Sequence, residues 1–523
     1  MAELKASEAW IDTARKSTDK TPQELKAQEQ YYANTEIQEH QHVLDTEDAR
    51  DAERKYMKKL NLIVLPTISA LYFFEYLDRG NIANAKLLGI DKGHDTPDNG
   101  VGPGTQELSS TQWQTVIMIF YVGLILFQVP GCIGYRVFPP SKWIAFGVCG
   151  WCAVCVLQTV AFNWAALLVC RVFLGVFEGL FGTGIVYYLS IWYHRDELGI
   201  RVFWFLGPTA IAGQEYTNAQ SFWRLLTIGH IQSSVQQWKL LFIIEGIPGF
   251  CLGLFCLYWL PDRPTKNSRF KGILQKVALA RYWRETTDQN PGISKKHFML
   301  ALTDWRLYVQ AAIYVPTAAL LSSISGFLPS IVRSLGYKAT TSANLMTVPP
   351  YACAFALMYV TSWLSDRYRS RGIPIFILSS TAAVMYACLA NLDNNHLSAK
   401  YGCMCIAVAC VYATYPPSHA WAANNFGNET KRAVGMGAYT AMGNLGSIAG
   451  SFFYPSTDAP QYRKGHYLCF AMSIATAVIT LANTMTLHRI NRQRDRQYGT
   501  PQKGQSIDVS EDADANPMFR YMI

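Results

Sequence analysis

Long apolar blocks, separated by short polar breaks, run through most of this chain. The apolar core of a bilayer is about 30 Å thick, and about 20 residues of α-helix cross it. Eleven apolar blocks of that length are present, near 60–80, 113–135, 142–162, 164–189, 240–260, 307–330, 345–364, 374–392, 402–422, 433–454 and 467–487. The pattern therefore predicts an all-α membrane protein with at least eleven transmembrane helices.

A twelfth span is expected near 202–231, and it is interrupted. Residues 214–224 (QEYTNAQSFWR) are polar and carry both Glu215 and Arg224 between two apolar halves. A charge at membrane depth costs at least about 2.5 kcal/mol. We interpret 214–224 as an insertion into the fifth span, of the kind that a retained intron in the gene model would produce. Sequencing the spliced transcript distinguishes a genuine insertion from such an artefact.

Basic residues mark every second break between the apolar blocks. The chain has a net charge of +9, and its lysines and arginines cluster before the first span and then after alternate spans. The first intervening loop, 81–110, is acidic and rich in glycine and proline. Because basic loops stay in the cytoplasm, this alternation requires an even number of spans. We expect twelve, both termini in the cytoplasm, and residence in the plasma membrane.

The largest internal break divides the chain into two repeated halves. We predict a cytoplasmic N-terminal tail (1–55), a six-helix bundle (56–261), a central cytoplasmic loop (262–306), a second six-helix bundle (307–490) and a cytoplasmic C-terminal tail (491–523). Six plus six helices around a central loop is typical of transporters built from two repeats. Both tails are polar, so we expect them to be mobile.

Composition excludes several classes of function. Only 16% of residues are charged, against about 25% in an average soluble protein. The basic residues are too scattered for a nucleic-acid surface. The thirteen cysteines lie inside apolar blocks, and Cys149, Cys152 and Cys155 have no nearby histidine that would complete a metal site. We find no cofactor loop and no nucleophile with a positioned base, and expect neither an enzyme nor a bound cofactor or metal.

Ionisable residues at membrane depth are the main candidates for function. Glu75, Asp78 and Arg79 lie late in the first span, and Arg171 and Glu178 lie in the fourth. Two helical turns separate Arg171 from Glu178, so both project from one face, roughly 10 Å apart. We predict that these helices meet at a watered cavity, where an arginine binds an anion and a carboxylate exchanges protons. The alternative is a static ion-pair cluster that only fixes helix packing.

Other polar residues could line the same cavity. We name Glu75 in the first half and, in the second half, Tyr314, Tyr412, Tyr415, His419 and Asn444. The glycine-rich run at 435–450 lacks the Lys-Ser/Thr of a phosphate loop and lies within an apolar span. It predicts close packing of that helix against a neighbour.

Several stretches along both halves carry a family resemblance. They are YLDRGNIANAKLLGI (76–90), CRVFLGVFEGLFGTGIVYYLSIWYHRDELGIR (170–201), LLFIIEGIPG (240–249), LPDRPTK (260–266), LTDWRLYVQAAIY (302–314), FLPSIVRSLGYKATTSANLMTVPPYA (327–352) and SDRYRSRG (365–372). Together they resemble the major facilitator superfamily, and more narrowly the fungal allantoate/nicotinate permease branch of the anion:cation symporters. The resemblance implies proton-coupled uptake of an organic anion by alternating access.

The resemblance also implies roles for individual residues. Asp78 and Glu178 match the family's proton-handling acids, and Arg79 and Arg171 match its positions for substrate-anion binding and charge relay.

A cytoplasmic latch is implied as well. SDRYRSRG is similar to the loop signature that holds helix ends together, and it supplies Asp366, Arg367 and Arg371. Its counterpart at 134–143 keeps Arg136 but lacks the acid.

Two other functions stay open. The fold would equally permit an exporter of a secondary metabolite. The interruption at 214–224 would also suit a non-transporting sensor or an inactive copy. The expected partners are the lipid bilayer, protons and a small anionic solute, of the carboxylate vitamin or nitrogen-source type, and we expect a monomer.

Overall fold

A computed structural model describes residues 47–97, 99–211, 235–266, 269–287, 292–334, 345–392, 396–455, 458, 461–501 and 507–523. Long α-helices dominate it. The polar interruption at 214–224 lies outside the described residues.

The first half contains seven described helices. They are α1 (Glu47–Leu87), α2 (Ser110–Val137), α3 (Pro140–Leu157), α4 (Trp164–Phe181), α5 (Gly184–Trp192), α6 (Leu198–Leu206) and α7 (Gln237–Trp259). Helix α2 begins with a capping box in which Ser109 and Gln112 each satisfy the other's backbone N–H. Helices α4 and α5 follow one another closely and together make one crossing, Trp164–Trp192.

Two short helices precede the second half. The elements after α7 are α8 (Ile273–Glu285), strand β1 (Thr286–Thr287), α9 (Lys295–Thr303), α10 (Trp305–Ser334), α11 (Val348–Arg367), α12 (Gly372–Asn391), α13 (Leu397–Asn425), α14 (Glu429–Gly450), α15 (Arg463–Tyr498) and β2 (Ile507–Asp508). The two-residue strands β1 and β2 pair in parallel.

The helices confirm the predicted all-α membrane fold. Within the described part of the chain, nine helical segments are long and apolar enough to cross a bilayer. Helices α11 and α14 have comparable length, at 20 and 22 residues. The short apolar helix Leu198–Ile211 is the described part of the remaining crossing. Large apolar side chains such as Leu126 and Val478 are exposed on the outside of the bundle, as a lipid-facing surface requires.

Glycines allow the helices of the bundle to approach closely. On α14, a Cβ atom at Gly446 would collide with the Val315 carbonyl oxygen of α10, and one at Gly450 would collide with that of Ala319. The two halves meet where α14 packs on α2 and where α6 packs on α11 and α13. The glycine-rich run therefore serves helix packing, as the sequence predicted.

Substituting Gly446 with alanine is expected to destabilise the protein. The added methyl group must displace backbone atoms of α10, and overpacking of this kind costs about 1–3 kcal/mol. Gly402 on α13 is the matched control, because no atom lies within 4 Å of a Cβ placed there. Gly402→Ala should leave thermal stability unchanged or raise it slightly. Melting temperatures of the two purified variants decide this, and equal values would contradict the packing role.

The C-terminal tail differs from its prediction. Residues 507–523 pack against one end of the bundle, with Val509, Phe519 and Tyr521 buried in an apolar cluster. The prediction of a mobile tail is wrong for this segment, because contacts with residues distant in sequence offset its polar composition.

Candidate functional site

A cavity of about 310 Å³ lies between the two halves. The first half contributes mainly α1 side chains, namely Tyr72, Tyr76, Arg79 and Ile82. The second half contributes tyrosine, serine and asparagine side chains, among them Tyr314, Ser322, Ser325, Tyr412, Tyr415, Asn444, Ser447 and Ser451. In the described part of the lining, Arg79 is the one charged residue.

Arg79 is held by carboxylates from two helices. Its Nε donates to Glu178 Oε2 of α4 at 2.6 Å, and its terminal nitrogen donates to Glu75 Oε1, one turn earlier on α1. Both glutamates are fully buried, whereas 27% of the Arg79 side chain is exposed. The guanidinium also lies 5.8 Å from the centre of the Phe120 ring. The first and fourth crossings thus meet through opposite charges at the edge of the cavity.

Arg171 is buried behind this group, two turns before Glu178 on α4. Its positive charge acts on the Glu178 carboxylate. Glu75, Glu178, Arg79 and Arg171 therefore make a group of two acids and two bases, which is neutral when all four are ionised.

Asp78 lies apart from the arginines in a second acidic group. The Cys155 thiol of α3 donates to Asp78 Oδ1 at 3.4 Å, and Asp78 is 2% exposed. Glu245 of α7 accepts from Asn81, and the charges of both Glu245 and Glu178 act on Asp78. Adjacent residues point about 100° apart around a helix. Asp78 therefore faces the inside of the first half, while Arg79 faces Glu178 and the cavity. Glu75, rather than Asp78, is the α1 acid that pairs with Arg79.

The second-half candidates divide into two layers. Tyr314, Tyr412, Tyr415 and Asn444 line the cavity. His419 lies behind them, with its ring centre 4.8 Å from that of Tyr314 and 4.6 Å from that of Tyr415. Glu75 is likewise outside the described lining and contacts the lining residue Arg79.

Two tyrosines of α1 escaped the sequence analysis. Tyr72 and Tyr76 line the cavity, and the Tyr72 hydroxyl lies 3.3 Å from that of Tyr415 in the opposite half. Together with Arg79 they follow the spacing i, i+4, i+7, which places all three on one helical face. That spacing is the signal that could have identified them.

The cavity is closed off at the end of the bundle where the basic breaks meet, which we call the basic end. Here Asp366 of α11 accepts from the backbone N–H groups of Gly199 and Ile200 at 2.9 and 2.8 Å. Those groups belong to the first turn of α6, whose dipole favours an anion. Arg371, which is fully buried, lies 2.6 Å from the same carboxylate. The SDRYRSRG segment thus joins the two halves.

Glu429 forms the second contact between the halves. This α14 residue accepts from Tyr282 at 2.6 Å, from Arg263 at 3.2 Å and from Arg136. The acid missing near Arg136 is therefore supplied by the opposite half. Sequence analysis did not identify Glu429, because 293 positions separate it from Arg136.

Arg367 does not join these contacts. It is exposed at the last residue of α11. The chain turns immediately afterwards, with Arg369 at φ +52°, and Arg369 pairs with Asp196 of the first half. The turn explains why Arg369, rather than the predicted Arg367, reaches across.

A third group at the basic end keeps its carboxylate charged. The Arg281 guanidinium of α8 donates hydrogen bonds to the carboxylates of both Glu53 and Glu197. Burial alone would raise the pKa of Glu197, but the charges of Arg281 and Arg201 override it and hold that pKa below its usual value. This ion pair therefore persists at neutral pH.

A bundle of membrane-crossing helices, with a polar cavity between two halves and one closed end, defines a membrane transporter. The chain belongs to the Major Facilitator Superfamily, whose family model matches residues 68–451. It is 31% identical to the MFS transporter prlL of Fungal sp. (strain NRRL 50135), over 86% of this chain and 89% of that one.

Solved structures show the same fold. The proton:xylose symporter XylE aligns with a TM-score of 0.60 and 15% identity, covering 81% of this chain and 96% of its own. The fucose:proton symporter FucP of E. coli aligns with a TM-score of 0.54 and 13% identity, covering 80% and 98%. At these identities the likeness concerns the fold alone.

Proposed function

We propose that the chain is a proton-coupled importer of a small organic anion, of the carboxylate vitamin or nitrogen-source type. It works as a monomer in the plasma membrane, with the basic end and both termini in the cytoplasm. The bundles 56–261 and 307–490 rock against each other to expose the cavity alternately to each side. Clustering of the basic segments at one end supports this orientation.

Arg79 is the observation on which the substrate class depends. Within the described cavity lining it is the one charged side chain, and part of its guanidinium-bearing side chain is exposed. A planar guanidinium binds a carboxylate through two parallel hydrogen bonds. The tyrosine and serine hydroxyls around it can hold the rest of a small polar molecule.

Charge balance supports coupling to protons. With all four side chains ionised, the group formed by Glu75, Glu178, Arg79 and Arg171 is neutral before a substrate arrives. An incoming carboxylate would leave it with one excess negative charge in a poorly solvated place, which is costly. Protonation of Glu178 restores neutrality and also frees the Arg79 Nε–H for the substrate. Proton binding and anion binding therefore favour each other.

Asp78 offers a second place for a proton. It is buried against the Cys155 thiol and close enough to Glu245 for their charges to interact. Two carboxylates that approach each other in a buried site do not both stay ionised easily. A proton held on Asp78 during one half of the transport cycle would remove that repulsion.

Uptake of labelled carboxylates at varied external pH tests the proposal. We expect wild-type uptake to rise as external pH falls, and Glu178→Gln and Asp78→Asn to lower it at least about tenfold and flatten its pH dependence. Arg367→Gln, at an exposed site, is the control and should behave as wild type. Undiminished uptake with unaltered pH dependence in both acid variants would refute the coupling. Competition by neutral sugars, but not by carboxylates, would refute the substrate class.

A further inference from the structure

Residues 507–523, which we call the docked segment, carry a buried charge into the basic end. Asp514 is fully buried and lies 2.5 Å from Lys431 Nζ and 2.6 Å from Arg306 Nη1. Tyr521 of the same segment donates to Asp514 Oδ2 at 3.1 Å. Removing one partner of a buried ion pair is strongly destabilising, so Asp514 anchors the segment firmly.

Asp304 completes this group. It accepts from Lys431 Nζ at 2.6 Å and from Arg306 Nε at 2.8 Å. Burial alone would raise the pKa of Asp304, but the Arg306 hydrogen bond and the Lys431 charge hold it below its usual value. The group therefore contains two acids, Asp304 and Asp514, and two bases, Lys431 and Arg306.

Side chains of the second half also form hydrogen bonds with the backbone of the docked segment. Trp421 Nε1 donates to the Met522 carbonyl at 2.8 Å, and Asn425 both accepts from Met522 N at 2.8 Å and donates to its carbonyl at 3.1 Å. Asn491 makes a similar pair of bonds with Tyr521, at 2.8 and 3.0 Å. These contacts fix the register of the segment on the second half.

The docked segment then reaches across to the first half. The Arg195 guanidinium lies 4.5 Å from the centre of the Phe519 ring, and Arg195 Nη1 donates to the Arg520 carbonyl at 3.3 Å. Arg195 precedes α6, and its own carbonyl accepts from Arg371 Nη2 at 2.9 Å. Strand β2 of the segment also pairs with β1 in the central loop. The segment therefore spans the junction where Asp366 and Arg371 join the halves.

Opening of the basic end requires the two halves to separate at this junction. The second half holds the segment through buried ion pairs and paired amide bonds, whereas among the described residues of the first half the contacts come from Arg195. A separation would thus break the Arg195 contacts first. Each such contact lowers the free energy of the closed state and does not exist in the open one.

We propose that the docked segment is an autoinhibitory latch that holds the basic end closed until it leaves Arg195. Its release shifts the transporter toward the state that is open at the basic end. A protein or a modification that displaces the segment would then control the rate of transport without touching the cavity.

Hydrogen–deuterium exchange of the purified full-length chain in lipid nanodiscs tests this proposal. In Asp514→Asn we expect exchange at 196–206 and 366–372 to rise by about tenfold, within the usual range of coupling between two sites. Exchange at 317–327, beside the cavity, should fall, because the opposite side closes as the basic end opens. Asp512→Asn is the matched control: Asp512 is exposed, and its variant should match wild type.

A second variant replaces 507–523 with a Gly/Ser sequence of equal length and removes every contact of the segment. The proposal requires the same reciprocal change, at least as large as in Asp514→Asn. Faster exchange at the segment and the residues that contact it, without the fall at 317–327, would overturn it. Loss of the folded state in the Gly/Ser variant would also overturn it, because it would assign the segment to folding alone. Because the readout needs neither substrate nor a proton gradient, its failure would leave the proposed function standing.

Discussion

Replacing Arg79 with glutamine is expected to reduce carboxylate uptake at least about a hundredfold, because a charge-assisted pair of hydrogen bonds to the substrate is lost. The variant should also be less stable. Glu75 and Glu178 would be left buried without their shared cation, and breaking such a pair costs about 3–5 kcal/mol. Arg79→Lys should restore stability more than uptake, since an ammonium group cannot hold a carboxylate bidentately. Uptake and melting temperature, measured on the same preparations, check both expectations.

A double variant separates binding from stability at this site. In Arg79→Gln/Glu178→Gln, one acid and one base are removed together, so Glu75 and Arg171 remain in balance. We expect the melting temperature to recover and uptake to stay lost. Recovery of uptake in the double variant would show that Arg79 serves only to neutralise Glu178, and the assignment of Arg79 to substrate binding would be abandoned.

Replacing Glu429 with glutamine is expected to open the basic end. This carboxylate accepts hydrogen bonds from Arg136, Arg263 and Tyr282, which lie outside the second half. An amide in its place lacks the charge that attracts both arginines. Buried contacts of this kind are worth several kcal/mol when one partner is removed, enough to reverse a conformational preference. We expect the population that is open at the basic end to become dominant, and uptake to fall at least about tenfold.

Spin labels on encoded amino acids at Lys142 and Arg367, both exposed at the basic end, would report this change as a longer distance between the two halves. Glu107→Gln is the control. Glu107 forms an exposed pair with Lys92 in the loop before α2, at the opposite end of the bundle, and its loss should leave the distance distribution unchanged. An unchanged distance distribution in Glu429→Gln would show that Glu429 does not hold the basic end closed.

Local patterns predicted much of this fold. Apolar blocks located the crossings, because a helix in lipid must satisfy its own backbone and expose apolar side chains. The packing of α14 through Gly446 was also readable, since small residues recur along a single helix. Such features depend on residues that are close in sequence.

The site required information that no local pattern holds. Asp78 and Arg79 are neighbours in the chain, yet the helix turns them toward different surroundings. Only the positions of α3, α4 and α7 reveal that Arg79 faces the cavity and that Asp78 faces the inside of the first half. Glu429 and Asp514 were missed for a related reason. Their partners Arg136 and Lys431 lie far away in the sequence, so their pairing follows from the assembled topology and not from spacing.

The two walls of the described cavity lining differ in kind: the first half supplies its charged side chain, Arg79, and the second half supplies its amide and most of its hydroxyl groups. Mutations in α10, α13 or α14 could therefore alter which molecule fits while the driving force stays intact. After gene duplication, a copy could acquire a new cargo through a few changes on that side alone. Diversification within such a lineage should accordingly concentrate at positions such as Tyr314, Tyr412 and Asn444.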